Sequence, residues 1–171
     1  MNVQFETKHK GTKAGKDEWL TPPEIIKALG DFDLDPCSPI NRPWPTAKVH
    51  YTELDNGLLL PWNGRVWCNP PYGDQAAYWL EKCAIHNNAI ALTFARTETK
   101  MFFNYVWDKA DALLFIKGRL QFYHVTGIKG DSAGAPSVLI AYGQKNADIL
   151  QQCNIKGKFV RLGTQTSNTL N

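Results

Sequence analysis

The chain lacks any run approaching the roughly 18 apolar residues of a membrane-spanning helix, and its 171 residues begin Met1-Asn2-Val3-Gln4-Phe5-Glu6, without a signal-peptide-like apolar segment. A membrane protein and an exported protein are therefore not expected. Cysteine is sparse: Cys37, Cys68, Cys83 and Cys153 are far apart and form no Cys-x-x-Cys pair, while His9, His50, His86 and His124 are equally scattered. That pattern argues against a disulfide framework and against a structural zinc, and predicts free thiols in a reducing compartment with no metal. There are no internal repeats, and no large excess of one charge. The formal net charge of +3 and pI near 8.6 permit a polyanionic partner without demanding one.

The hydrophobic content of 43% and charged content of 20% are those of an ordinary globular protein, and the length suits one domain. The first 16 residues carry Lys8, Lys10, Lys13 and Lys16 in an apolar-poor stretch, either a solvated tail or a basic arm that meets phosphates. The Ser/Thr/Asn-rich residues 164–171 read as a disordered tail, which leaves residues 17–163 as the folded domain.

Between these ends the signals alternate. Thr21 is a fair N-cap, Pro22 suits the first helical position, and Gly30 closes a short helix. Phe32-Asp33-Leu34-Asp35 reads as a strand that stops at Pro36, and the proline-rich residues 37–48 as a loop. Val49 to Thr52 is a brief strand candidate, and Asp55-Asn56-Gly57 a strong turn signal. Apolar residues recur at helical spacing from Gln75 to His86, and a second helix is expected from about Thr99 to Lys109. Ala89–Phe94, Ala112–Ile116 and Ser137–Tyr142 are buried-strand candidates, with a last short strand near Phe159–Leu162. Helices alternating with strands, then strands without helices between them, predict a single α/β domain whose sheet is mostly parallel with an antiparallel end.

The most informative segment is Asn69-Pro70-Pro71-Tyr72, after the apolar run Val66-Trp67-Cys68. Two prolines lack backbone N–H groups and have φ fixed near −65°, so the chain must leave the sheet there as a stiff turn. The tetrapeptide is either a plain strand-terminating turn or a ligand site at a strand's carboxyl end, where α/β sheets bind ligands. An amide and a carbonyl held rigidly beside an aromatic ring suit a planar substrate.

Thr21-Pro22-Pro23-Glu24, Asp35-Pro36-Cys37-Ser38, Asp55-Asn56-Gly57-Leu58, Asn69-Pro70-Pro71-Tyr72-Gly73, Arg96-Thr97-Glu98-Thr99, Gly118-Arg119-Leu120-Gln121-Phe122 and Gly134-Ala135-Pro136-Ser137 follow one another in this order. Over Trp19 to about Tyr142 they resemble the bacteriophage Dam-type DNA N6-adenine methyltransferases. The resemblance implies a compact Rossmann-like methyltransferase sheet, S-adenosylmethionine as cofactor, and double-stranded DNA as partner, with no obligate protein partner. It also implies a phage or prophage origin, a cytoplasmic setting and protection of DNA from restriction. Asn69, Pro70, Pro71 and Tyr72 would be the catalytic turn, with the target adenine flipped out to meet it.

By the same resemblance, Asp35 and Pro36 would hold the cofactor, Asp35 through its ammonium or a ribose hydroxyl. Thr21 and Pro22 match the segment that closes over the cofactor carboxylate, and Asp55 matches an adenine-contacting position, unless it is only a turn residue. Trp62 either walls the adenine pocket or belongs to the core. Arg96, Arg119, Lys13 and Lys16 are the candidate DNA contacts, and residues 119–136 the candidate reading loop. Protein glutamine or RNA adenine as methyl acceptor, and a binding module without turnover, stay open. Two departures stand out: no glycine-rich loop follows Asp35, and only 33 residues separate Asp35 from Asn69. The short spacing predicts that one helix has been lost or reduced to a turn.

Overall fold

The structure, a computed structural model, describes residues 19–163. The expected basic arm with Lys13 and Lys16, and the expected tail, lie outside the described residues.

The described residues run through β1 (Trp19–Leu20), α1 (Pro23–Leu29), β2 (Leu34–Asp35), β3 (Val49–His50), β4 (Val66–Cys68), α2 (Ala76–His86), β5 (Ala89–Phe94) and α3 (Lys100–Phe102). A π-helical turn, Phe103–Trp107, prolongs α3, and then come β6 (Ala112–Ile116), β7 (Gln121–His124), β8 (Lys129–Ser132), β9 (Ser137–Tyr142), α4 (Gln144–Gln152) and β10 (Gly157–Arg161).

Seven strands form one sheet in the order β10-β6-β9-β5-β4-β2-β3. The pairings β3–β2, β2–β4 and β4–β5 are parallel, while β5–β9, β9–β6 and β6–β10 are antiparallel. The sheet is therefore mixed rather than mostly parallel. The reason is β9, which inserts between β5 and β6 after a hairpin excursion instead of a helical crossover, so both of its neighbours oppose it. β10 adds a further antiparallel edge. A separate antiparallel sheet, β1-β7-β8, gathers the chain start and that excursion.

Alternation along the central strands builds two apolar layers. Ile90 and Leu92 of β5 and Leu139 and Ala141 of β9 face Ile25 and Leu29 of α1 and Ala147 and Leu150 of α4. Ala89 and Ala91, with Val138 and Ile140, face Trp79, Leu80 and Cys83 of α2 and Phe102 and Val106. Such a sheet, covered on both faces, reads as near-continuous apolar runs because every position is buried.

Two local readings need revision. Thr21 does not cap α1: the cap position is Pro22, no side chain bonds the helix start, and Pro23 opens the helix. The expected helix at 99–109 is one α-turn continued by the π-turn, with the Thr99 hydroxyl accepting from the Phe102 N–H. Between β2 and β4 the described chain holds no helix. Turns stand there instead, one closed by Asp55 N–H to Thr52 O at 3.0 Å and the next, Asn56–Leu60, by Leu59 N–H to Asn56 O at 2.9 Å.

That turn is held from two sides. Gly57 lies so close to Pro36 that a Cβ there would fall 2.0 Å from the Pro36 carbonyl oxygen. Lys82 of α2 donates to the carbonyls of Gly57, Leu58 and Leu60 at 3.1, 2.8 and 2.5 Å. Trp62 completes the clamp: 8% exposed and stacked on Trp79, it donates to Gly57 O at 2.8 Å, a core placement.

Candidate active site

Because β2, β4 and β5 are parallel neighbours, their carboxyl ends lie along one edge of the sheet. From β2 the chain passes to β3 on one side and then to β4 on the other, so this edge contains a topological switch point, the usual crevice for ligands in α/β sheets. Asp35 ends β2, and Asn69 follows the last residue of β4. The two turns touch: the thiols of Cys37 and Cys68 are 3.9 Å apart.

Pro70 and Pro71 stop β4 because neither can donate to the ladder. The Asn69 amide is held from outside the turn. Its Nδ2 donates to the Thr21 hydroxyl at 3.2 Å, and Thr21 is 2% exposed in the segment between β1 and α1. The bond anchors the amide group at the turn, with its nitrogen toward the Thr21 hydroxyl and its oxygen away from it. The amide oxygen is buried and has no hydrogen-bond partner among the described residues. A buried acceptor without a partner costs on the order of 1–3 kcal/mol, so its presence beside a proline-stiffened turn points to a ligand donor.

Asp35 is 4% exposed. Its Oδ1 accepts from the Cys37 N–H at 3.2 Å, and its Oδ2 accepts from the Thr46 hydroxyl. Thr46 is held in turn by His50, whose Nε2 accepts from the N–H groups of Thr46 and Ala47 at 3.1 and 3.3 Å. Burial pushes the Asp35 carboxyl up to about 6, against the lowering effect of these two bonds. The acid is thus short of positive charge, and a cationic or multiply donating ligand would favour its ionised form.

The aromatic member of the turn is not isolated. Tyr72 lies flat on Phe94, the last residue of β5, with ring centroids 4.2 Å apart and planes 6° from parallel, and it meets Phe122 of β7 edge-on at 6.4 Å. Tyr72 keeps 42% exposure, whereas Phe122 keeps 5%. The small sheet therefore roofs this edge. It supplies Phe122 from β7 and leads Thr21 in from β1.

The other predicted residues lie further out. Pro22 is buried at the start of α1, and Pro36 is buried against Gly57. Asp55 is exposed and its Oδ2 accepts from the Thr52 N–H and hydroxyl at 2.8 and 3.0 Å, which closes its own turn. Arg96 is exposed just past β5, and its guanidinium has no partner among the described residues. Arg119 is exposed too, with a long 3.4 Å contact to Ala133 O. Residues 119–136 form the β7–β8 hairpin and its return rather than an unstructured loop. Sequence reasoning passed over Thr46, His50 and Phe94. Only Phe94 carried a signal, as the next residue after Leu92 on the α1 face of β5.

Among the described residues no helix is long and apolar enough to cross a membrane, and no group of three or more histidine, cysteine or acidic side chains is placed to hold a metal ion. No curated protein and no solved structure matches the chain. A protein-family model described as DNA N-6-adenine-methyltransferase (Dam) does match, over residues 8–161, which is most of the chain and includes every turn described above. The chain belongs to the Dam family of DNA N-6-adenine-methyltransferases.

Proposed function

We propose that this protein transfers a methyl group from S-adenosylmethionine to the N6 amine of a specific adenine in double-stranded DNA, with that base flipped into the edge of the sheet where Asn69 stands. The observation that carries the reading is the Asn69 amide: anchored on Thr21, with its oxygen buried and unpartnered among the described residues.

The chemistry asks for such an acceptor. The lone pair of an adenine amine is delocalised into the ring, so the nitrogen is a poor nucleophile. Asn69 Oδ1 and the Pro70 carbonyl accept the two N–H bonds and turn the lone pair out of the ring plane. Both acceptors also favour the positive charge that grows on nitrogen as it attacks, which is electrostatic stabilisation rather than base catalysis. S-adenosylmethionine, when bound, supplies the electrophilic methyl on its sulfonium. Transfer would release the sulfur as a neutral thioether, and the proton of the methylated amine would pass to water.

The chain's residues fit that donor. Asp35, buried and raised to about 6, suits the methionine ammonium or a ribose hydroxyl, with Thr46 and the Cys37 N–H fixing its orientation. Thr21, Pro22 and Pro36 are buried residues assigned to the same cofactor site, and Asp55, in the turn just before the one that packs on Pro36, is assigned to the cofactor adenine. In this reading the sheet is a reduced Rossmann-like one with its switch point at β2. Pro71 stiffens the turn. Tyr72 offers the base a stacking face, worth roughly 1–3 kcal/mol by the measure of single-strand binders. Arg96, Arg119, Lys13 and Lys16 contact phosphates or bases, with the β7–β8 hairpin as reading element. A phage enzyme of this kind, working in the host cytoplasm, protects its DNA from restriction.

An Asn69→Ala variant tests the reading. It should bind S-adenosylmethionine within about twofold of wild type by calorimetry and lose DNA methylation by at least about 100-fold, in line with removal of one transition-state acceptor. Transfer to RNA or to protein glutamine, with none to DNA, would redirect the substrate.

A further inference from the structure

Among the described residues five buried side-chain atoms have no hydrogen-bond partner: Trp44 Nε1, Arg65 Nη2, Asn69 Oδ1, Trp79 Nε1 and Ser137 Oγ. Two are oxygens, and both stand at the carboxyl edge of the sheet. Ser137 opens β9 opposite Phe94, the last residue of β5, and is 1% exposed. The Ala95 N–H donates to the Pro136 carbonyl at 2.8 Å, so the adjoining Phe94–Ser137 pair is of the non-hydrogen-bonded kind, whose side chains approach most closely.

Alternation puts these groups on one face. Ile90 and Leu92 of β5 face α1, hence Phe94 does; Ser137 shares that side as its cross-strand partner, and Asn69 follows Trp67 by two, one residue past the end of β4. The bond from Asn69 to Thr21, next to α1, agrees. Ser137 Oγ thus lies beside the Phe94 ring on which Tyr72 stacks, across β5 from Asn69. β4, β5 and β9 are successive neighbours, so two strand spacings, roughly 10 Å, separate the Asn69 and Ser137 strands, a width suited to a purine. The exposed member of the cover is Tyr72, which stacks on the Phe94 ring.

We propose that Ser137 is a second contact to the target base: its hydroxyl donates to a ring nitrogen of the adenine whose amine Asn69 and Pro70 hold. The inference rests on the methyltransferase reading above. A hydroxyl supplies the donor that N1, N3 and N7 of adenine all need as acceptors, and Asn69 Oδ1, acceptor-only, cannot supply it. Together the two oxygens read a donor amine and an acceptor ring nitrogen on one base, a pair that thymine, without an exocyclic amine, would not match. Ser137 acts in recognition and positioning, and no proton leaves it during transfer.

The test is a double cycle of protein and substrate variants. Methyl transfer by wild type and Ser137→Ala is measured on duplexes whose target is 2′-deoxyadenosine or its 1-deaza, 3-deaza or 7-deaza analogue. Wild type should lose roughly 3- to 10-fold in kcat/KM on one analogue, the worth of a neutral hydrogen bond, while Ser137→Ala should lose that much on adenine and nothing further on the same analogue. Equal analogue penalties in both proteins overturn the inference, since a packing role for Ser137 would leave them unchanged. If Ser137→Ala does not fold, Ser137→Cys, with a weak donor of similar shape, gives the same comparison. Wild-type protein that methylates no adenine overturns the functional reading and this inference with it; wild-type transfer without coupling overturns this inference alone.

Discussion

Three side chains carry most of the site's physics. Asn69 Nδ2 bonds the Thr21 hydroxyl, and in the proposed reaction this contact anchors the amide whose Oδ1 accepts from the amine. A Thr21→Val change should lower kcat about tenfold and leave the cofactor dissociation constant nearly unchanged; equal turnover in single-turnover assays would remove Thr21 from the mechanism. Asp35 makes a pH prediction. Its carboxyl is raised from 3.8 to about 6, so protonation is favoured in the folded chain, and stability present below pH 4 is lost as the pH climbs through 6. The loss is on the order of 3 kcal/mol. Asp35→Asn, which cannot ionise, should be at least as stable as wild type in urea at pH 7.5, yet bind S-adenosylmethionine at least about tenfold more weakly. Cofactor affinity of the wild type should also fall below about pH 6. Lower stability for Asp35→Asn, or a flat affinity profile, would remove the carboxylate from the cofactor site.

At the level of elements, the Asn56–Leu60 turn stands where a helix is missing between β2 and β4, and the Gly57 contact with Pro36 couples it to the Asp35 turn. Gly57→Ala would force a Cβ onto the Pro36 carbonyl, so the turn or β2 must shift. A destabilisation of about 1–3 kcal/mol and weaker cofactor binding should follow, read by urea unfolding and calorimetry. Legibility in the sequence tracked how local each signal was. The Val66–Cys68 strand and its stop were readable because two prolines dictate the backbone. So was α2, through its apolar spacing and the left-handed Asn87 that ends it. The strand at Ser137–Tyr142 and an antiparallel end were readable too, but the insertion of β9 between β5 and β6 was not, since position in a sheet depends on partners rather than on a strand's own residues. α4 was hidden because Gln144-Lys145-Asn146-Ala147-Asp148 is polar, with Ala147 and Leu150 as its main core contacts. Thr21 looked like a cap because capping residues also serve as side-chain acceptors; its partner, 48 residues away, left no local trace. The small sheet was missed for the same reason, as β1 is two residues long and pairs with β7 about a hundred positions on.

For the whole molecule, the sheet geometry gathers the candidate groups at one edge. The carboxyl ends of β2, β4 and β5 hold the candidate cofactor and base groups, the small sheet roofs them, and Arg96 and Arg119 stand outside on the same side. If DNA lies along this edge, binding should weaken steeply with salt, and Arg96→Ala or Arg119→Ala should each reduce the log–log salt slope by about 1 where a phosphate contact is lost. An unchanged slope would place that arginine off the DNA path. The central claim is that Asn69 makes an adenine amine nucleophilic. Its most direct test is nucleoside mass spectrometry of duplex DNA incubated with S-adenosylmethionine and either wild-type protein or Asn69→Ala. N6-methyl-2′-deoxyadenosine should appear with wild type and fall by at least about 100-fold with the variant; its absence with wild type, or equal yield from both, would contradict the account.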